Sequence, residues 1–202
     1  MIEPLTNTIQ GVVNFTWPMI IISVVVLVSC RVSYMIKNRD KEKFVFYKEL
    51  LMLSFIIYIL CLFQVVTFQD DVTWASNNFI PFNEIFRYSI TSRLFIKNVI
   101  GNMLMFLPFG FFISYYLKNE KVWLTLFITV ITSLAIELVQ LTMIGRVFDV
   151  DDIILNVIGG VAGFFVYHLL SYIGDRLPSV FKNEWFLNIV SVIILIGVII
   201  LI

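Results

Sequence analysis

Apolar residues along the chain gather into six long runs, parted by short polar stretches. The runs cover about Val13–Cys30, Tyr47–Phe68, Val99–Leu117, Val122–Ile144, Ile153–Ile173 and Trp185–Ile202. Each is close to the ~20 residues that carry a helix across the hydrocarbon core. A segment in lipid must satisfy its backbone internally, so the pattern predicts helices. The expected fold class is all-α, a polytopic membrane helix bundle of about six transmembrane helices, five if the last lies on the surface. No internal repeat, low-complexity segment or Pro/Ser-rich linker interrupts the pattern, so residues 1–202 read as a single integral membrane domain.

Composition sharpens this. Hydrophobic residues make up 60% of the 202 and charged residues 14%, with a mean hydropathy of +0.96. A soluble domain of this size could not hide that much apolar surface. The formal net charge is zero, which leaves no global basic face, and nucleic acid is not an expected partner. Cys30 and Cys61 fall in or at the edge of apolar runs and read as small apolar fillers, not a disulfide pair. The start, "MIEPLTNTIQG", lacks a basic n-region, so the first run is expected to be retained.

Lysine and arginine placement sets the orientation. Arg31, Lys37, Arg39, Lys41, Lys43 and Lys48 follow the first run, Lys118 and Lys121 lie in the third turn, and Arg176 and Lys182 precede the last run. The opposite side holds only Arg87, Arg93, Lys97 and Arg146. The richer side is expected in the cytoplasm, which puts both termini outside in a multi-pass protein.

Polar residues inside the runs then fall at one depth. Asn98 and Asn102 form an i, i+4 pair at the start of the third run, expected on one helix face. Glu137 and Gln140 lie near the end of the fourth, and Asp152 and Asn156 at the start of the fifth. Unpaired polar groups in hydrocarbon cost several kcal/mol each. A shared, partly wet, outward-facing cavity is the inexpensive arrangement. Asn83, Glu84, Arg87 and Arg93 lie in the loop above it.

The stretches "IPFNEI", "NVIGNMLMFLPFGF", "AIELVQ" and "GRVFDVDDIILNVIGGVAG", in that order, resemble the VanZ-like family of bacterial membrane proteins. The resemblance covers Tyr58 to Tyr167, a core at 58–167. The positions that match are Asn83, Asn98, Gly101, Asn102, Pro108, Gly110, Glu137, Gln140, Arg146, Asp149, Asp152, Asn156 and Gly159. The resemblance implies a bacterial cell membrane location and a link to low-level resistance to the glycopeptide teicoplanin. It brings no settled reaction.

Each candidate has a plain structural reading beside the functional one. Glu137 is a carboxylate inside a membrane helix, a functional-site hypothesis by default; it could instead lock helices through Arg146, Asn102 or Asn156. Asp151 or Asp152 is expected to cap the fifth helix, while Asp149 could pair with Arg146. Carboxylates and Asn oxygens would suit a hard cation, but the spacing matches no calcium loop, and no metal or cofactor is expected. Pro108 frees the Leu104 carbonyl and is expected to kink its helix. Gly159 and Gly163 are expected to pack tightly on a neighbour. His168, the sole histidine, lies at the far end of its helix from Glu137, which argues against a catalytic zinc or a histidine triad.

The sequence therefore favours a non-enzymatic protein that binds a polar head group through Glu137, Gln140, Arg146, Asp149, Asp152, Asn156, Asn98, Asn102 and Asn83. The partner would be a membrane lipid, a lipid-linked envelope precursor or the glycopeptide. The alternative is an intramembrane enzyme acting on a lipid-linked precursor, with Glu137 and Asp149 or Asp152 as acid and base. A transporter is disfavoured by the lack of an inverted repeat.

Overall fold

A computed structural model describes residues 21–26, 28–37, 44–67, 77–118, 120–142 and 146–201. The named elements are helical, and one isolated parallel bridge joins Asn78 to Asp149. The chain packs as two compact units, Met1–Phe68 with Gly174–Ile202, and Gln69–Ile173.

The first unit contains α1 (helical at residues 21–26 and 28–37), α2 (Phe46–Thr67), α8 (Ser179–Lys182) and α9 (Glu184–Leu201). The Arg31 guanidinium donates to Glu49 at 2.8, 2.9 and 3.2 Å, tying α1 to the first turn of α2. A carboxylate there also suits the positive end of the helix dipole. Asn188 of α9 accepts the Tyr47 N–H at 3.0 Å, filling one of the donors orphaned at the start of α2.

The second unit contains α3 (Asn83–Arg87), α4 (Arg93–Phe95), a π-helical turn (Ile96–Ile100), α5 (Gly101–Leu117), α6 (Val122–Gln140) and most of α7 (Val150–Arg176). The third apolar run thus begins its helical course earlier than the pattern predicts, at Arg93. The fourth ends at Gln140, short of the expected Ile144.

Helix α6 turns the usual amphipathic pattern inside out. Thr125, Thr129, Ser133 and Glu137 recur every fourth residue and are all buried, while Trp123, Phe127, Ile131 and Leu138 are exposed. A bilayer solvates that apolar outer face. The hydroxyls need little from it, because Thr129 bonds back to the Thr125 carbonyl at 2.7 Å.

Small residues let α5, α6 and α7 approach closely. A Cβ on Gly110 would lie 1.8 Å from the Gly160 carbonyl oxygen, and one on Gly163 would lie 2.0 Å from that of Leu107. One on Gly159 would meet the Met103 oxygen at 2.1 Å, and one on Gly160 the Thr129 Oγ1 at 2.5 Å. The tight packing expected of Gly159 and Gly163 is what they make, with Gly110 and Gly160 joining them.

Among the described residues, four helices are long and apolar enough to cross a membrane: Phe46–Val65, Arg93–Leu117, Val122–Gln140 and Val150–Arg176. The apolar helix Glu184–Gly197 is shorter. Half of the run expected at Val13–Cys30 falls outside the described residues, and among the described residues four of the six expected spans meet the measure.

Candidate functional site

The polar residues of the second unit gather where α6 ends and α5 and α7 begin. Glu137, in the last turn of α6, is 1% exposed. Its Oε2 accepts the backbone N–H of Asp149 at 3.0 Å, bridging α6 to the approach of α7. Helix α7 starts at Val150, so Asp149 is the residue flanking it. Its Oδ1 accepts the Asp151 N–H at 2.9 Å, the bond an N-cap makes. This corrects the expectation that Asp151 or Asp152 caps α7; both already lie in the first turn of the helix.

Asp151 caps a different helix. It is 1% exposed, and its Oδ1 accepts the Phe82 N–H while its Oδ2 accepts those of Glu84 at 2.7 Å and Ile85 at 3.1 Å. These donors are the start of α3, so the carboxylate satisfies a helix N-terminus distant in sequence. Phe82, left-handed at φ 66°, turns the chain into that position.

Asn78 completes the strap. Its N–H donates to the Phe148 carbonyl at 2.8 Å, its carbonyl accepts from Val150 at 3.1 Å, and its Nδ2 donates to Asp149 Oδ1 at 2.8 Å. Asn77 Oδ1 accepts the Phe148 N–H at 2.9 Å, and the Phe79 and Phe148 rings stack at 5.3 Å. The segment before α3 therefore lies bonded along the segment before α7.

Deeper in, Asn102 at the start of α5 donates to Asp152 Oδ1. One turn further along α7, Asn156 donates through Nδ2 to Ser133 Oγ at 2.9 Å. Asn156 is 4% exposed, and its Oδ1 is buried with no hydrogen-bond partner among the described residues. Arg146 lies close enough for its charge to act on both Glu137 and Asp152. Gln140 is buried in the same last turn of α6.

Two predicted members stand apart. Asn98 donates to the Tyr88 hydroxyl at 3.2 Å, not to the Asn102 cluster. Asn98 lies within the π turn at Ile96–Ile100 and Asn102 in α5, so the i, i+4 register of one regular helix does not run between them. Asn83 is exposed at the start of α3, and its backbone N–H bonds the Ile80 carbonyl at 3.4 Å.

Burial pushes the Asp149 carboxyl above the usual carboxylate range. The Asp151 amide and the Asn78 side chain pull it back by less, and the Asp151 and Glu84 charges add to the rise. Among the described residues, no group of three His, Cys, Asp or Glu side chains could hold a metal ion. The Asp149 and Asp151 oxygens face backbone and amide donors instead.

Sequence reasoning missed Asn78, Ser133 and the strap role of Asp151. Ser133 was visible as a step in the four-residue ladder that ends at Glu137. Asn78 carried only the weak signal of an Asn pair before "FIPFNE".

The family model VanZ-LLP1, described as VanZ/LLP1, matches residues 55–171. The chain belongs to the VanZ/LLP1 family. With four helices among the described residues long and apolar enough to cross a bilayer, it is a VanZ-like membrane protein. The matched span reaches slightly beyond the expected core at 58–167, and it holds every residue of the polar cluster. No curated protein and no solved structure matches the chain.

Proposed function

We propose that this VanZ/LLP1 protein binds a polar head group in the cluster between α5, α6 and α7, and thereby contributes to teicoplanin tolerance in a bacterial cell membrane. The head group belongs to an envelope lipid, a lipid-linked precursor or the glycopeptide itself. The observation that supports this most is the buried pair of Glu137 and Asn156. Two polar side chains buried there are costly inside a membrane bundle, above all the Asn156 Oδ1 that has no described partner, unless something else engages them. The lysine and arginine distribution along the sequence favours an outward-facing cluster, since Arg31, Lys37, Arg39, Lys41, Lys43, Lys48, Lys118, Lys121, Arg176 and Lys182 fall in the loops expected on one side and only Arg87, Arg93, Lys97 and Arg146 in those expected on the side of the cluster.

The enzymatic alternative needs Asp149 or Asp152 beside Glu137 as acid and base. Asp149 has its Oδ1 committed to the Asp151 amide and to Asn78, which favours a structural role for it and binding over turnover.

Growth at graded teicoplanin, with wild type and Glu137→Gln at matched protein levels, tests the reading. The variant keeps the shape and one acceptor while losing the charge, and tolerance should fall. Unchanged tolerance in a folded Glu137→Gln protein would defeat the proposal.

A further inference from the structure

The hydrogen-bond chemistry of the cluster identifies the kind of head group, resting on the binding reading above. Helices α6 and α7 face each other through two successive rungs. Ser133 and Asn156 form one, bonded at 2.9 Å. Glu137 is one turn on from Ser133 along α6 and Asp152 one turn back from Asn156 along α7, each about 6 Å away by helical rise, and the two are near enough for their charges to interact.

The donors and acceptors here do not balance. Glu137 Oε2 has the Asp149 amide, and Asp152 Oδ1 has Asn102. Asn156 Oδ1, in a residue 4% exposed, has no described donor. Glu137, Asp149, Asp151 and Asp152 bring four carboxyls, and Arg146 is the guanidinium whose charge reaches Glu137 and Asp152. An anionic phosphate would add acceptors and negative charge to a place already rich in both. A metal ion does not fit the described acidic side chains. What the rungs lack is an organic cation with several N–H donors.

We infer that the cluster binds a primary ammonium group, held by Asn156 Oδ1 together with the Glu137 and Asp152 carboxyls. An ammonium presents three donors in a compact point charge. A quaternary ammonium has the charge but no N–H to give. The close glycine packing one turn below Asn156, at Gly159 and Gly160, closes the cluster on its deep side, so the group must arrive from the α3 end. The amine can come from a lipid head group or from a soluble molecule, and the two sources are separable.

The test uses the full chain in nanodiscs, with native mass spectrometry of retained lipid and thermal unfolding as readouts. The probes are phosphatidylethanolamine, phosphatidylcholine, phosphatidylglycerol and free ethanolamine. Phosphatidylethanolamine should be retained over phosphatidylcholine and phosphatidylglycerol by about tenfold or more, since hydrogen bonds that involve a charged group are the stronger ones. Asn156→Leu should abolish that preference while the protein stays folded, because Leu removes a buried unsatisfied oxygen. If that variant fails to fold, Asn156→Asp serves: added negative charge should strengthen the phosphatidylethanolamine preference. Stabilisation by free ethanolamine without lipid retention assigns the ammonium to a soluble ligand and supports the inference.

Equal retention of phosphatidylglycerol, lost in Glu137→Gln, overturns the ammonium assignment but leaves head-group binding standing. Retention indifferent to both Glu137→Gln and Asn156→Leu overturns the two together and leaves Asn156 Oδ1 to a trapped water.

Discussion

Replacing Asp151 by Ala would strand the N–H groups of Phe82, Glu84 and Ile85 at the start of α3. A buried donor left unsatisfied costs about 1–3 kcal/mol, so Asp151→Ala should destabilise the protein by about 2 kcal/mol or more. Asp151→Asn, which keeps one carbonyl acceptor, should cost less. Thermal unfolding in detergent gives the order, and an Ala variant that melts with wild type would release the strap from Asp151. Asp149 yields a pH prediction. Its folded-state pKa is raised by burial, so its contribution to stability is greatest below the ordinary carboxylate range and is lost as pH rises through the raised value. Melting temperature should fall across that window in wild type, and Asn78 should keep its bond in Asp149→Asn while that part of the fall disappears. Arg146→Ala should remove teicoplanin tolerance, and Arg146→Lys should restore it only in part because the planar fork is lost. Full tolerance in the Lys variant would mean that a point charge suffices. At this scale the sequence was half legible. Glu137 and Asn156 stood out as polar residues inside apolar runs. Which aspartate capped which helix did not, because that choice turns on whether α7 starts at Val150 or Ile153, and an apolar Val150 blurs the boundary.

Helices α5 and α7 meet backbone to backbone, α6 meets α7 through the Thr129 side chain, and the glycines sort by what lies opposite. Gly110→Ala and Gly163→Ala would drive a methyl into the carbonyls of Gly160 and Leu107, which cannot yield without moving a helix. Each should cost about 1–3 kcal/mol or more by overpacking and reduce recovery of folded protein from detergent. Gly174→Ala has nothing within 4 Å and should be neutral or slightly stabilising, by up to about 1 kcal/mol of helix propensity. Loss of folded protein in Gly174→Ala, or none in Gly110→Ala, would contradict this packing. The elements themselves were legible because a run of about twenty apolar residues has few other fates. The π turn at Ile96–Ile100 was not, since its sequence, "IKNVI", has ordinary helical composition. Asn98 lies inside that turn and bonds Tyr88, not the cluster.

Orientation belongs to the whole molecule and calls for probes where side chains are exposed. Asn78 is buried under Asp149 and would resist a reagent from either side. Asn83 and Lys121 are exposed, at opposite ends of the α5–α6 pair. With Cys30 and Cys61 replaced, Asn83→Cys should react with an impermeant reagent in intact cells and Lys121→Cys only after permeabilisation. The reverse result would turn the cluster toward the cytoplasm. The strap also dictates an order of assembly. The Asp151 carboxylate and the Phe82 N–H it accepts are 69 residues apart in the chain. During synthesis, α3 has emerged long before its capping carboxylate exists. Until α7 begins, the loop before α5 has its own five-residue helix, far below the length at which a helix persists alone, and local bonds such as that from Asn98 to Tyr88. The strap is therefore the last piece of its unit to settle, and nascent chains arrested before residue 150 should be cleaved by protease within residues 78–92, whereas chains carrying a docked α7 should not.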